Sequence, residues 1–324
     1  MTQANRTSDH SPGISPGNRP VHGVWSPVLV PVQDDFSIDV DRFLAHARWL
    51  LDQGCHGIAL FGTTSEANSF SLEERMGLLE SALEAGIDPR QIIVGTGCCA
   101  LPDSVRLTRH AVDNGCHKVL MLPPFYYKGV SDAGLYRSYA EVIDRVDDDA
   151  LRVLFYHFPK LSGVPITPGL IELLLTDYPG IIAGLKDSSG DWSNTADLIE
   201  RFPDISIFPG SERFLLQGLT HGGAGCITAT ANVNAAGARA VWDAWSENSA
   251  ELDTRNERLL AARTVIEAYP VIPAQKYLLA HHRKDPQWRR VRPPLLDLDD
   301  TQGTELSKAL TKIDFNLSIG DTPQ

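Results

Sequence analysis

The sequence predicts an α/β chain folded as a (β/α)8 barrel of the TIM type, with a C-terminal helical extension. Three observations predict it. Eight short apolar runs follow one another from Val24 onward. Each lacks polar alternation, as expected of a parallel strand buried on both faces. Between them lie amphipathic stretches of about 10–15 residues, which is helical in length and period. Alternating β and α units make a parallel sheet, and eight units are the number that closes a barrel. An open doubly wound sheet is the competing arrangement. No G-x-G-x-x-G follows the first run, which weighs against it.

The runs are VWSPVLV from Val24, GIALF from Gly57, IIVGTG from Ile92 and KVLML from Lys118. They continue as RVLFYH from Arg152, IIAGLK from Ile181, SIFPG from Ser206 and GCITA from Gly225. Helix signals stand between them. Ser71-Leu72-Glu73-Glu74 is a capping box, in which Ser71 and Glu74 each satisfy a free N–H of the other. Thr167-Pro168 puts an N-cap before a proline at the first helical position. Gly86 and Gly115 stand where helices should end.

The barrel is expected over residues 21–248 and a helical region over 249–316. That region divides into Glu251 to Ala268, Ala274 to His282 and Thr304 to Ile313. WRRVRPPLLDL, between the last two, reads as a proline-broken loop. The tail is too small and polar to stand as its own enzyme domain, so it should pack on the barrel or on a neighbouring subunit. Residues 1–20 and 317–324 are expected to be disordered tails.

Composition narrows the function. With 324 residues, 43% of them hydrophobic and 22% charged, the chain has enough apolar surface for a core. Lys+Arg is 29 against Asp+Glu 41, a formal net charge of −12. Nucleic acid and anionic membrane call for the opposite balance. No apolar run approaches the ~18 residues of a membrane span. The first twenty residues lack the apolar core of a secretory signal. Five cysteines without C-x-x-C do not suggest a disulfide framework. A cytoplasmic protein is expected.

In such barrels the chemistry sits at the C-terminal strand ends and in the loops that follow. Lys186 is the most informative residue there. It ends the run Ile181-Ile182-Ala183-Gly184-Leu185, and it is one of only eight lysines. Burial disfavours an ammonium, and a neutral amine attacks a carbonyl to form an imine. Lys186 snorkelling out of the rim, or pairing with Asp187, is the plain alternative. Position alone leaves both open. Tyr126 and Tyr127 follow the fourth run. They read as aromatic filling or, if hydrogen-bonded beside a reacting group, as proton carriers. Thr63 and Thr64, after Gly62, offer hydroxyls and backbone N–H groups that can seat a carboxylate without net positive charge.

Taken together, Gly62-Thr63-Thr64-Ser65-Glu66, Pro123-Pro124-Phe125-Tyr126-Tyr127 and Gly184-Leu185-Lys186-Asp187-Ser188-Ser189-Gly190 resemble the dihydrodipicolinate synthase / N-acetylneuraminate lyase family. The likeness extends to Gly210-Ser211-Glu212 and to the stretch from Gly222 to Asn232, and covers roughly residues 22 to 310. It implies a lyase of the class I aldolase type acting on a 2-oxo acid such as pyruvate, without a cofactor. By that resemblance Lys186 forms the Schiff base, Tyr127 moves protons and Thr63 joins the relay. Thr64, with the N–H groups of Thr63 and Thr64, holds the substrate carboxylate, and the Ile227 carbonyl faces the three-carbon unit. Gly62, Gly210 and His157 are counted with the substrate-binding positions. The family also implies a homo-oligomer, a tetramer.

Three departures mark this chain. Ser65 stands where the family usually has glycine, and His157 replaces an asparagine. Asp132 lies where some members place a cation for a second carboxylate. These leave open a catalytically silent barrel that binds a 2-oxo acid or scaffolds a partner. Intact Lys186, Tyr127 and Thr64 argue for the enzyme. No H-E-x-x-H and no zinc-spaced His/Cys set occurs, so no metal site is expected. A nucleophile elbow and a Walker loop are likewise missing.

Overall fold

The computed structural model describes residues 21–317. The expected tail at 1–20 and all but the first residue of that at 317–324 lie outside the described residues.

Eight strands form one parallel sheet. They are β1 (Gly23–Pro27), β2 (Gly57–Leu60), β3 (Ile92–Gly95), β4 (Lys118–Met121), β5 (Arg152–His157), β6 (Ile182–Asp187), β7 (Ser206–Pro209) and β8 (Gly225–Ile227). Each strand falls within one of the eight apolar runs, except that β1 begins one residue earlier and β6 ends one residue later. Neighbours pair in sequence order from β1 to β7, and β8 returns to pair with β1. The Ala224 N–H donates to the Ile207 carbonyl at 2.9 Å, which draws β8 against β7 and closes the barrel. Gly225 permits that closure. It has φ +130°, and a Cβ there would lie 2.0 Å from the Gly23 carbonyl oxygen.

The helices that cover the barrel are α1 (Val40–Asp52), α2 (Leu72–Glu84), α3 (Leu101–Asp113), α4 (Asp132–Val146), α5 (Pro159–Ser162), α6 (Pro168–Asp177), α7 (Trp192–Arg201), α8 (Leu215–Thr220) and α9 (Ala231–Ser246). The capping box at Ser71 and Glu74 is formed, and Thr167 caps α6 as the sequence predicts. Gly86 and Gly115 take positive φ just past α2 and α3.

Side chains alternate in direction along each strand. Trp25, Ala59, Ile93, Leu120, Leu154, Tyr156, Ala183, Phe208 and Ile227 fill the barrel interior. Val24, Ile58, Ile92, Val119, Val153 and Leu185 belong to the larger core between strands and helices. Cys55, Cys116 and Cys226 are buried, and burial pushes the Cys55 thiol up to about 12 and the Cys116 thiol to about 11.

The extension supplies α10 (Leu252–Ile266), α11 (Val271–Arg283) and α12 (Asp300–Thr311). Ile266, Leu279, Trp288, Leu306 and Leu310 share one apolar cluster with Leu29 and Val233 of the barrel. The extension therefore packs on its own barrel, as the first of the two expectations had it. Among the described residues no helix is long and apolar enough to cross a membrane.

Candidate active site

A cavity of about 770 Å³ opens among the loops at the C-terminal strand ends. Lys186 lines it. In β6 Ala183 lies in the barrel interior and Leu185, two residues on, in the outer core, because the register with β5 shifts between Val153 and Leu154 and skips Ala183. Lys186 pairs in register with Tyr156, which belongs to the interior cluster. Its Nζ lies 4.4 Å from the Tyr156 ring centroid, and the residue is only 4% exposed. Asp187 is turned to other work. Its carboxylate accepts from the Thr195 hydroxyl at 2.6 Å, from Asn194 Nδ2 at 3.0 Å and from the Ser189 N–H at 2.9 Å. Lys186 makes no ion pair among the described residues. Of the two plain alternatives, neither snorkelling nor the Asp187 pair is what the fold produces.

The Tyr156 hydroxyl is 3.0 Å from Thr63 Oγ1. Thr63 and Thr64 both line the cavity. Their loop is held at its base by Ser65. The Ser65 hydroxyl accepts the Phe61 N–H at 3.1 Å and donates to the Val28 carbonyl at 2.6 Å. The side chain at the family's glycine position is thus a fastener. The Glu66 N–H donates to the Thr63 carbonyl at 3.0 Å, and the Ala67 N–H to Gly62 at 3.3 Å. The N–H groups of Thr63 and Thr64 take no partner among the described residues, and they stand beside the cavity. Gly62 itself does not line it.

Tyr127 does not come to this place. It is 74% exposed, lies between β4 and α4, and contacts Tyr126 edge to face. It is outside the cavity wall in this chain, and the phenol beside Lys186 and Thr63 is Tyr156. Tyr127, the expected proton carrier, is thus not brought beside Lys186 within the chain. The signal for Tyr156 was present in the sequence. It ends the fifth run one residue before His157, so alternation turns one of the two inward.

His157 is the one turned outward. Its Nδ1 accepts the Ile166 N–H at 3.0 Å, and it does not line the cavity. Burial lowers its pKa below the ordinary histidine range, with Asp187 opposing. Expected among the substrate-binding positions, it is not brought to the cavity wall within the chain; the ring ties β5 to the segment before α6. Asp132 is also structural, accepting from the Thr167 hydroxyl at 2.6 Å. Gly210 does line the cavity, for want of space: a Cβ would lie 2.1 Å from Ser188 Oγ. Ile227 ends β8 with its side chain in the interior cluster, and Ala229 lines the wall beyond it.

Three parts of the wall were missed from the sequence. The start of α11 with the residues before it, Pro270 to Pro273, and the stretch Pro294 to Leu296 both line the cavity. Arg263 of α10 lines it too. Its guanidinium bonds Glu212, a buried carboxylate that accepts from the Thr228 and Thr230 hydroxyls. These residues lie far from any strand end in the sequence, so reading strand ends alone did not find them.

The family model described as the dihydrodipicolinate synthetase family matches residues 20–313. The chain belongs to this family. Membership makes it a lyase. An uncharacterized DapA-like lyase of Chloroflexus aurantiacus is 36% identical over 302 residues, 93% of this chain and 98% of that one. A dihydrodipicolinate synthase from Agrobacterium tumefaciens superposes with a TM-score of 0.83 at 31% identity, covering 90% of this chain and 99% of that one. An N-acetylneuraminate lyase from Fusobacterium nucleatum shares the fold, with a TM-score of 0.80 at 23% identity over 90% and 99% of the two chains.

Proposed function

We propose that this family member forms a Schiff base between Lys186 and the 2-oxo group of a pyruvate-type acid. The observation that carries it is one buried lysine facing a cavity beside a tyrosine–threonine pair. YagE from E. coli K12, which shares the fold, was solved in complex with pyruvate.

The steps follow from where the groups sit. The Lys186 amine attacks the 2-oxo carbon, and water leaves as the imine forms. Thr64, with the N–H groups of Thr63 and Thr64, receives the carboxylate. The Ile227 carbonyl faces the three-carbon unit. In aldol cleavage the bond between C3 and C4 breaks, its electron pair moves to the iminium nitrogen, and the C4 hydroxyl gives its proton to Tyr156. The resulting enamine takes a proton at C3, and water releases the product from Lys186. In condensation the same enamine adds to an aldehyde. In dehydration or deamination a C3 proton departs and a leaving group is expelled. Tyr156 is the proton carrier and Thr63 its relay partner.

A three-carbon acid fills only the deep end of a cavity of about 770 Å³. The remainder, walled by Phe158, Leu161, Phe214 and Ile272, takes the second reactant. Tyr126 and Tyr127, both 74% exposed, support a homo-oligomer that covers them, which light scattering measures.

Borohydride reduction in the presence of pyruvate is the test. A stable adduct on Lys186 by mass spectrometry is expected, and none with Lys186→Ala. No adduct in the parent protein sinks the mechanism. A screen of 2-oxo acids for pyruvate release then separates the reaction types.

A further inference from the structure

The loop that presents Thr63 and Thr64 ends in a carboxylate withdrawn from water. Glu66 takes left-handed backbone, φ +58°, which is strained for a residue with a side chain. Its Oε1 accepts from Lys276 Nζ at 2.5 Å, and the two side chains are 1% and 0% exposed. Its Oε2 accepts the Arg292 N–H at 2.7 Å. Lys276 Nζ also donates to the Arg290 carbonyl at 2.8 Å. Lys276 is on α11, whose first turn lines the cavity. The extension thus grips the loop from below while walling the cavity above.

Burying two charges is unfavourable, and an apolar pair of the same volume is often as stable or more so. Stability alone therefore does not account for this pair. Its position does suggest a use. The Glu66 N–H closes the turn on the Thr63 carbonyl, so the side chain that anchors Glu66 also sets the backbone of both threonines. The ammonium further neutralises an anion only two residues from the seat of the substrate carboxylate.

We propose that the Lys276–Glu66 pair is a positioning device: it holds the Thr63–Thr64 loop in the geometry that captures the 2-oxo acid's carboxylate, and so makes the C-terminal extension part of the active site. This rests on the Schiff-base reading above.

The test is borohydride trapping at Lys186 as a function of pyruvate concentration, with thermal unfolding alongside, on the full chain. Lys276→Met is expected to raise half-saturating pyruvate by about tenfold or more, because small misplacements of a positioning group are that costly. The adduct at saturation should stay near the parent level. The double variant Lys276→Met with Glu66→Gln removes both charges and keeps an acceptor for Arg292. It is expected to unfold at a higher temperature than the single variant, yet still to need several-fold more pyruvate than the parent. If the single variant does not fold, the double variant carries the same readout. A purely structural pair moves the unfolding temperature alone, so half-saturation within twofold of the parent in a folded variant overturns the proposal. If the parent forms no adduct, the Schiff-base reading fails by itself. Calorimetric pyruvate affinity of parent and variants then decides the role of the pair.

Discussion

The Tyr156 hydroxyl stands 3.0 Å from Thr63 Oγ1, with Lys186 Nζ over the same tyrosine ring. Phenol, hydroxyl and amine thus meet from three separate strand ends. Tyr156→Phe keeps the ring under Lys186 and removes only the hydroxyl, with its bond to Thr63. It is expected to slow turnover by ~10²–10⁴ with imine formation on Lys186 still detectable. Tyr127→Phe should retain the larger share of activity. Single-turnover rates of the two variants decide between the phenols, and a greater loss at Tyr127 would restore the original assignment.

Ser65 predicts a stability effect. Ser65→Ala strands the buried Phe61 N–H and weakens the tie to Val28. Leaving such groups unsatisfied costs about 1–3 kcal/mol. Urea denaturation measures it, and an unchanged midpoint counts against the fastening role.

Gly210 sits against the loop that follows Lys186. Its N–H donates to the Asp187 carbonyl at 2.6 Å, and a Cβ would press on Ser188 Oγ. Gly210→Ala is expected to displace that loop, at roughly 1–3 kcal/mol of overpacking, and to lower activity. Adding Ser188→Gly should recover part of both. Failure of the second change to help places the clash elsewhere.

Acid should destabilise the fold through buried histidines. His46 is packed between Trp49 and Trp288. Burial first, then Arg283, pushes its pKa down to about 3, against the hydrogen bond that its Nε2 donates to Asn232 Oδ1. Burial likewise holds His56 at about 4. In the unfolded chain both titrate near ~6.5. Between those values the unfolded chain binds protons that the folded one refuses. Stability is therefore complete above about pH 6.5 and falls as pH drops toward the folded values. Denaturation midpoints from pH 7.5 to 4.5 should show this decline. His46→Gln should reduce the slope by about one proton, roughly 1.4 kcal/mol per pH unit. An unaltered slope would show that His46 is not the source.

The sequence by itself determined the eight strands, the order of the units and the place of Lys186 at the end of a buried strand. These are local matters: an unbroken apolar run, a capping box, a lysine ending a buried run. Thr63 and Thr64 were legible for the same reason, because a loop after a barrel strand reaches one known end of the barrel. Which way a side chain points was decided by the tertiary structure. Tyr156 and His157 are adjacent in sequence, and only the register with Lys186 and Asp187 turns one into the barrel and the other out. Tyr127 had the right chemistry, but the path of its loop carries it away from Lys186 within the chain. The grip of Lys276 on Glu66, across 210 residues, was likewise invisible to local pattern. A buried charge is recognised only through its partner, and folding alone brings that partner within reach.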